Sequence, residues 1–334
     1  MAKPNPLNAL IERALTEPGA DVRYDGNGDV RRITPVRPIV RSLLDLNGDM
    51  LPDLQTKSGM HLKRPPVGHP AGQTITLAAD IIKRSLVAQA GAEVIIYEDP
   101  TELNATGTDG EPLLVEKPTY FVTVESAPFT TVANGLEVGV SSLPISRAKI
   151  FVDDGLGQGP KTGTLTYMVR YEFTRAYMKS YPDFTDQIMH SFTQGLADTA
   201  DALLLGAIAA GTPQPAVNDV AQPNLPLQAF SLGDAAAHNV RFDELRALIG
   251  TNAAGAAVGQ DGVLRASGVR GELTPAIAPT IVGAFSRSAI MIRSTVDVYA
   301  ERVSVNPLSG TMAVTAVAAL QPLTPDLSRF WTAA

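Results

Sequence analysis

Residues 165–206 carry the feature that most constrains this chain: a strictly alternating stretch that passes directly into a long helical one. In "TLTYMVRYEF" the residues Leu165, Tyr167, Val169, Tyr171 and Phe173 occupy every second position, with Thr164, Thr166, Arg170 and Glu172 between them. That spacing predicts a strand with one buried face. In "YPDFTDQIMHSFTQGLADTADALLLG", residues 181–206, the apolar residues Ile188, Met189, Phe192, Leu196, Ala200, Leu203 and Leu204 fall three, four or eight apart. They define one stripe of an α-helix, and Asp186, Gln187, Gln194, Asp198 and Asp201 are expected to turn mostly away from it. His190 is expected on the helix surface or at an interface.

Around this unit the chain reads as α+β, with strands before and after a helical middle. Leu7, Leu10, Ile11 and Leu15 predict a short amphipathic helix closed by Pro18-Gly19. Residues 74–90 predict a helix ending at Gly91. "EVIIY" (93–97) and "LLVEKPTYFVTVE" (113–125) predict extended segments joined through Asp109-Gly110 as a long hairpin or an extended loop. A second hairpin is expected around Asn134-Gly135. The proline-rich stretch after Gly211 reads as a connection, "RFDELRALIG" (241–250) as a helix, and "AIMIRSTVDVYAERVSV" with "TMAVTAVAALQPL" as closing strands.

Charge and composition exclude several classes. A net charge of −7 excludes a protein that condenses nucleic acid by charge. The chain has no cysteine, so disulfides, thiolate metal sites and thiol nucleophiles are absent. Residues 1–41 nevertheless hold seven Lys or Arg against five Asp or Glu. Together with their prolines, they read as an exposed arm that packs on a neighbour. The longest apolar run, "ALLLGAIAAG" (202–211), is about half the ~20 residues that a bilayer crossing requires, so no membrane partner is expected.

Sites of chemistry are few. "GLGQGPKTG" (155–163) looks like a phosphate loop, but a strand pattern follows it where the phosphate needs a helix N-terminus. Asp45, Asn47, Asp49 and Asp53 fall at i, i+2, i+4 and i+8, with Gly48 permitting a tight turn. This resembles an oxygen-rich calcium loop without the closing glutamate, and a bland turn is the competing reading. His61, His69, His190 and His238 form neither a metal spacing nor a catalytic pair, and there is no nucleophile elbow or His-Glu-x-x-His. A structural protein is expected and an enzyme is not.

The order of parts resembles the major capsid proteins of tailed bacteriophages with the Hong Kong 97-type fold. The resemblance lies in the strand and helix of 164–206, with Tyr177-Met178, Ser180, Pro182-Asp183, the late acidic Asp201 and the terminal Leu205-Gly206. It lies also in "VGAFSRSAIMIRSTVDVYAERVSV" (282–305), where a Gly-x-Phe-Ser pattern precedes the final strands, and it covers roughly residues 90–325.

The resemblance implies a domain plan. Residues 1–60 are the N-terminal arm, 61–92 a helix and lead-in, and 93–125 an extended β-hairpin loop lying over a neighbour. Residues 126–224 are the peripheral domain with the spine helix at 182–210, 225–280 the axial domain, and 281–334 the closing strands. It implies assembly through the spine helix, whose residues Ile188, Phe192, Leu196, Leu203 and Leu204 pack on the subunit's own sheet. Partners follow: further copies as pentamers and hexamers, scaffolding, portal and decoration proteins, and double-stranded DNA enclosed without sequence-specific binding. The expected location is the virion capsid, assembled in the host cytoplasm. Residues 1–60 lack coiled-coil heptads, which suggests a separate scaffolding protein or none. Lys117 and Asn306 are the positions for a covalent crosslink of the kind some members form, although noncovalent assembly is expected. The alternatives are the shell subunit of an encapsulin-type nanocompartment, which shares the fold, and an enzyme with an unrecognised site.

Overall fold

The structure, a computed structural model, describes residues 6–16, 19–24, 30–36, 39–50, 75–98, 103–106, 112–114, 119–125, 129, 131–132, 134, 145–150, 165–181, 184–211, 226–303 and 310–333. It is α+β, and the chain divides into two compact units, each assembled from three stretches of sequence.

The first unit comprises Met1–Arg84, Leu165–Ala197 and Arg293–Ala319. Its frame is a run of strands in the order Ile39–Asp45, Thr295–Arg302, Thr311–Leu323 and Leu165–Thr174. The first three pair antiparallel, with Tyr299 opposite Arg41 on one side and Thr315 on the other. Alternation puts Val40, Val296, Val298, Ala300, Met312 and Val314 on the buried side. The helix Pro6–Thr16 buries Leu7, Leu10, Ile11 and Ala14 and packs on the strands Ile39–Asp45 and Thr295–Arg302 of its own unit. Within the stretch expected to be an exposed arm that packs on a neighbour, this helix lies against its own unit's sheet. The reason is the same amphipathic stripe that predicted the helix: it needs an apolar surface, and the adjacent strands supply one.

The second unit comprises Ser85–Thr164, Asp198–Ile292 and Leu320–Ala334. One sheet runs Ala256–Val258, Leu264–Ala266, Val269–Leu273, Arg246–Ile249, Ile281–Gly283 and Phe330–Thr332. Its core gathers Leu245, Ala247, Ile249, Val269, Val282 and Trp331. A second core joins Tyr97, Phe121, Ala148, Ile150, Met291 and Leu323, beneath the strands Glu93–Tyr97 and Ala289–Arg293 and the pair Tyr120–Val124 with Ile145–Lys149. That pair is tied down by polar contacts. Arg287 donates to the Val124 carbonyl at 2.8 Å, Gln321 to the Lys149 carbonyl at 2.9 Å, and buried Arg329 to Glu125 at 3.0 Å.

Several expectations are corrected here. Residues 93–125 are not one long hairpin. Glu93–Tyr97 joins the sheet beside Ala289–Arg293, Leu103–Thr106 pairs with Pro112–Leu114, and Tyr120–Val124 pairs with Ile145–Lys149. A core ready to receive Tyr97 and Phe121 separately outweighs the pairing of two strands with each other. The segment 241–250 is not a helix: a 3₁₀ turn at Phe242–Glu244 leads into the strand Arg246–Ile249. Ala247, Leu248 and Ile249 are all buried, as in a strand covered on both faces, and such a short apolar run has no period to reveal.

The helix expected over 74–90 breaks at Ser85 into Leu77–Arg84 and Leu86–Gln89. Ser85 takes an extended backbone (φ −64°, ψ 123°), and its hydroxyl accepts the Ala88 N–H. Gly91 then ends the segment with φ +112°, as expected of a glycine beyond a helix end.

Gly250, at the end of the strand Arg246–Ile249, shows how close the packing is. A Cβ there would lie 2.4 Å from the carbonyl oxygens of both Ala278 and Pro279. Backbone atoms cannot yield as a flexible side chain can, so Gly250→Ala is expected to lower stability by about 3 kcal/mol. A chemical-denaturation midpoint equal to that of the parent chain would contradict this close approach.

Candidate assembly surfaces

The long helix spans Phe184–Ala209, close to the 182–210 expected. Ile188, Phe192 and Leu204 are buried, and Leu196 and Leu203 are half-buried. Its N-terminal half packs on the inner side of the strand Leu165–Thr174, where Tyr167, Val169, Tyr171 and Phe173 are half-buried between exposed neighbours. Phe192 stacks on Tyr171 at 5.6 Å, Phe184 meets Phe173 edge-on at 5.1 Å, and the Tyr171 and Ser191 hydroxyls share a hydrogen bond of 2.7 Å. The alternating strand and the helical stripe thus meet each other.

Two polar residues of the helix depart from expectation. His190 is buried, and the Arg84 guanidinium lies 3.1 Å from its Nε2, while the same guanidinium pairs with buried Asp80 at 2.6 Å. Asp201 is also buried. One of its oxygens accepts the Ser85 hydroxyl (2.6 Å) and the Val87 N–H (3.2 Å), and the other accepts the Leu86 N–H (2.8 Å). This carboxylate satisfies the free amides at the start of the helix Leu86–Gln89, which explains the break at Ser85. Burial pushes the Asp201 carboxyl above its ordinary range, against the opposing pull of those three hydrogen bonds.

The outer face of the first unit's sheet is solvent-exposed. Arg41 is 59% exposed and bonds Asp297 at 2.9 and 2.5 Å, with its guanidinium 5.8 Å from the Tyr299 ring. Arg170 pairs with Glu301 and with Glu172. Apolar side chains stand among these ions: Ile39 is 63% exposed, Leu43 60% and Met168 72%. In the second unit Val122, Val124, Phe129, Leu232, Phe242, Val258 and Leu273 are also exposed. A cavity of about 460 Å³ beside the long helix is lined by aromatic groups, among them Tyr171, Phe173, Tyr177 and Phe184. Glu172, Thr174, Gln187 and Ser191 complete its lining with polar groups.

At the acidic loop, Asp45 Oδ1 accepts the Asn47 N–H at 2.9 Å and its carbonyl accepts the Gly48 N–H at 3.0 Å. A Cβ on Gly48 would fall 2.8 Å from that carbonyl, so the turn requires glycine there. Asp49 enters a two-residue strand, and Asp53 lies outside the described residues. Among the described residues no cluster of three acidic or histidine side chains is placed to hold a metal ion. Lys117, Asn306 and the 155–163 loop lie outside them too; the strand pattern expected after that loop begins at Leu165. No described helix is long and apolar enough to cross a membrane.

No protein family and no curated protein matches this sequence. Solved structures do. The capsid of a native gene transfer agent particle is 12% identical, with 83% of this chain and 96% of that one covered and a TM-score of 0.40. The mature capsid of bacteriophage PhiM1 is 10% identical over 83% and 94%, with a TM-score of 0.39. The capsid of cyanophage P-SCSP1u is 10% identical over 72% and 85%, with a TM-score of 0.36. The chain is similar to capsid subunits.

Proposed function

We propose that this chain is the major capsid subunit of a tailed phage or phage-like particle, with the Hong Kong 97-type fold. It assembles through pentamers and hexamers into an icosahedral shell around double-stranded DNA. The observation that carries the reading is the junction of the strand Leu165–Thr174, the short helix Arg175–Ser180 and the long helix Phe184–Ala209, with the strand Thr311–Leu323 pairing back on the first. These elements stand in the order by which the sequence resembles that family, and they hold together through the aromatic contacts of Phe184 and Phe192. Large apolar side chains left exposed on strands of both units support a surface completed by other copies. The net charge of −7 suits a wall that encloses DNA without gripping it.

In this reading the sheet of Arg246–Ile249 and its neighbours is the axial domain. The shell is part of the virion and is built in the host cytoplasm, with scaffolding, portal and decoration proteins as further partners. Sedimentation of the purified chain tests the proposal: one fast, uniform boundary of megadalton particles is expected, and a chain that remains a monomer at all concentrations contradicts it. Nucleic acid inside the particles distinguishes a DNA shell from a nanocompartment that carries protein cargo.

A further inference from the structure

Among the described residues the strand Ile39–Asp45 is a terminal strand of its sheet, hydrogen-bonded to Thr295–Arg302 on one side only. Among the described residues, no backbone hydrogen bond beyond that ladder involves Ile39 to Leu44. Six residues of open edge, Ile39 to Leu44, form a template for another strand, and proteins ordinarily blunt such edges with charged side chains, above all lysine, with proline or with a covering element. This edge, "IVRSLLD", has neither lysine nor proline and exposes Ile39 and Leu43 by more than half.

We propose that this edge pairs antiparallel with the same edge of a second copy, across a two-fold axis at Leu43. The choice of axis follows from charge. Arg41, Leu43 and Asp45 share the exposed face of the strand. An axis at Leu43 sets Arg41 opposite Asp45 of the partner subunit, twice by symmetry, with the two Leu43 side chains between the pairs. An axis at Arg41 opposes two guanidinium groups, and an axis at Ser42 sets Arg41 against a leucine, so neither matches the charges. Both ions have capacity to spare. Arg41 spends Nε and Nη2 on one oxygen of Asp297, leaving Nη1. Asp45 uses Oδ1 for the Asn47 amide, leaving Oδ2. The pairing deepens the shell reading and rests on it in taking another copy of the chain as the occupant.

The chain has no cysteine, so a disulfide can form only where one is introduced. Leu43→Cys, exposed and remote from the core, is expected to give a covalent dimer under mild oxidation, because directly opposed residues lie within disulfide range. Ile39→Cys is the control: the proposed register separates the two copies of residue 39 by eight positions, roughly 27 Å, and it should give at least tenfold less dimer. Adding Asp45→Arg to Leu43→Cys should cut the dimer yield about fivefold, since two ion pairs become repulsions. If Leu43→Cys does not fold, the Arg41→Cys/Asp45→Cys double variant must crosslink instead. Crosslinking at Ile39 as strong as at Leu43, or none at Leu43, overturns the register. Electron microscopy of the unmodified chain separates the two readings. Shells without the Leu43 crosslink overturn only the edge pairing. The crosslink without shells supports the pairing and overturns the shell.

Discussion

Phe192→Asp yields a chain that does not fold and forms no particles. Phe192 is 4% exposed and stacks on Tyr171. Truncating a buried aromatic costs about 3–5 kcal/mol. A carboxylate in its place adds the cost of a buried, unpaired charge, another several kcal/mol. The total approaches the whole stability of an ordinary domain. Phe192→Leu, which keeps the site apolar, should cost only about 1–2 kcal/mol. The measurement is soluble yield and far-UV circular dichroism of both variants, with microscopy of whatever assembles. Normal particles from Phe192→Asp would mean that the helix presents this residue to solvent, and the packing against Tyr171 and Phe173 would then be wrong.

Asp201→Ala is expected to destabilise the chain by about 3–5 kcal/mol, because it leaves the Ser85 hydroxyl and the Leu86 and Val87 amides without their acceptor in a buried site. Asp201→Asn retains an acceptor and should lose roughly half as much. The pH dependence has a definite sign. The folded carboxyl titrates above the unfolded one, so the folded state binds the proton more tightly. Its contribution is therefore fully present below the unfolded value, about 4, and is lost as pH rises through the folded value. Urea denaturation of the parent and of Asp201→Asn from pH 4 upward tests this: the difference in stability between them should change across that window. A flat difference would mean that burial does not perturb Asp201.

Period made much of this fold legible. The strand Leu165–Thr174, the helix Phe184–Ala209, the strand Glu93–Tyr97 and the helix Pro6–Thr16 lie within about three residues of where the sequence pattern puts them. All but Glu93–Tyr97 have one buried face, and a face is what a period encodes. Arg246–Ile249 was illegible for the opposite reason, since a strand buried throughout has no polar positions to mark its repeat.

At Asp201 and His190 polarity does not mean exposure, because both are buried with polar partners. Their partners, Ser85 and Arg84, lie 116 and 106 residues away, and nothing local announces them. One signal was available: a serine before "LVAQ", inside an otherwise helical stretch, is an N-cap pattern. The strand partners of 93–97 and 120–124 are not legible in the sequence because turn chemistry marks where a chain bends and not which strands then pair. The exposed apolar residues of the sheet's outer face become informative only once Ile39, Leu43 and Met168 are seen on one surface.

Negative-stain electron microscopy of the purified chain tests the central claim most directly. Closed icosahedral shells of uniform diameter, built from pentamers and hexamers, are the predicted result. A preparation that is folded by circular dichroism yet contains only monomers or small open oligomers would contradict it.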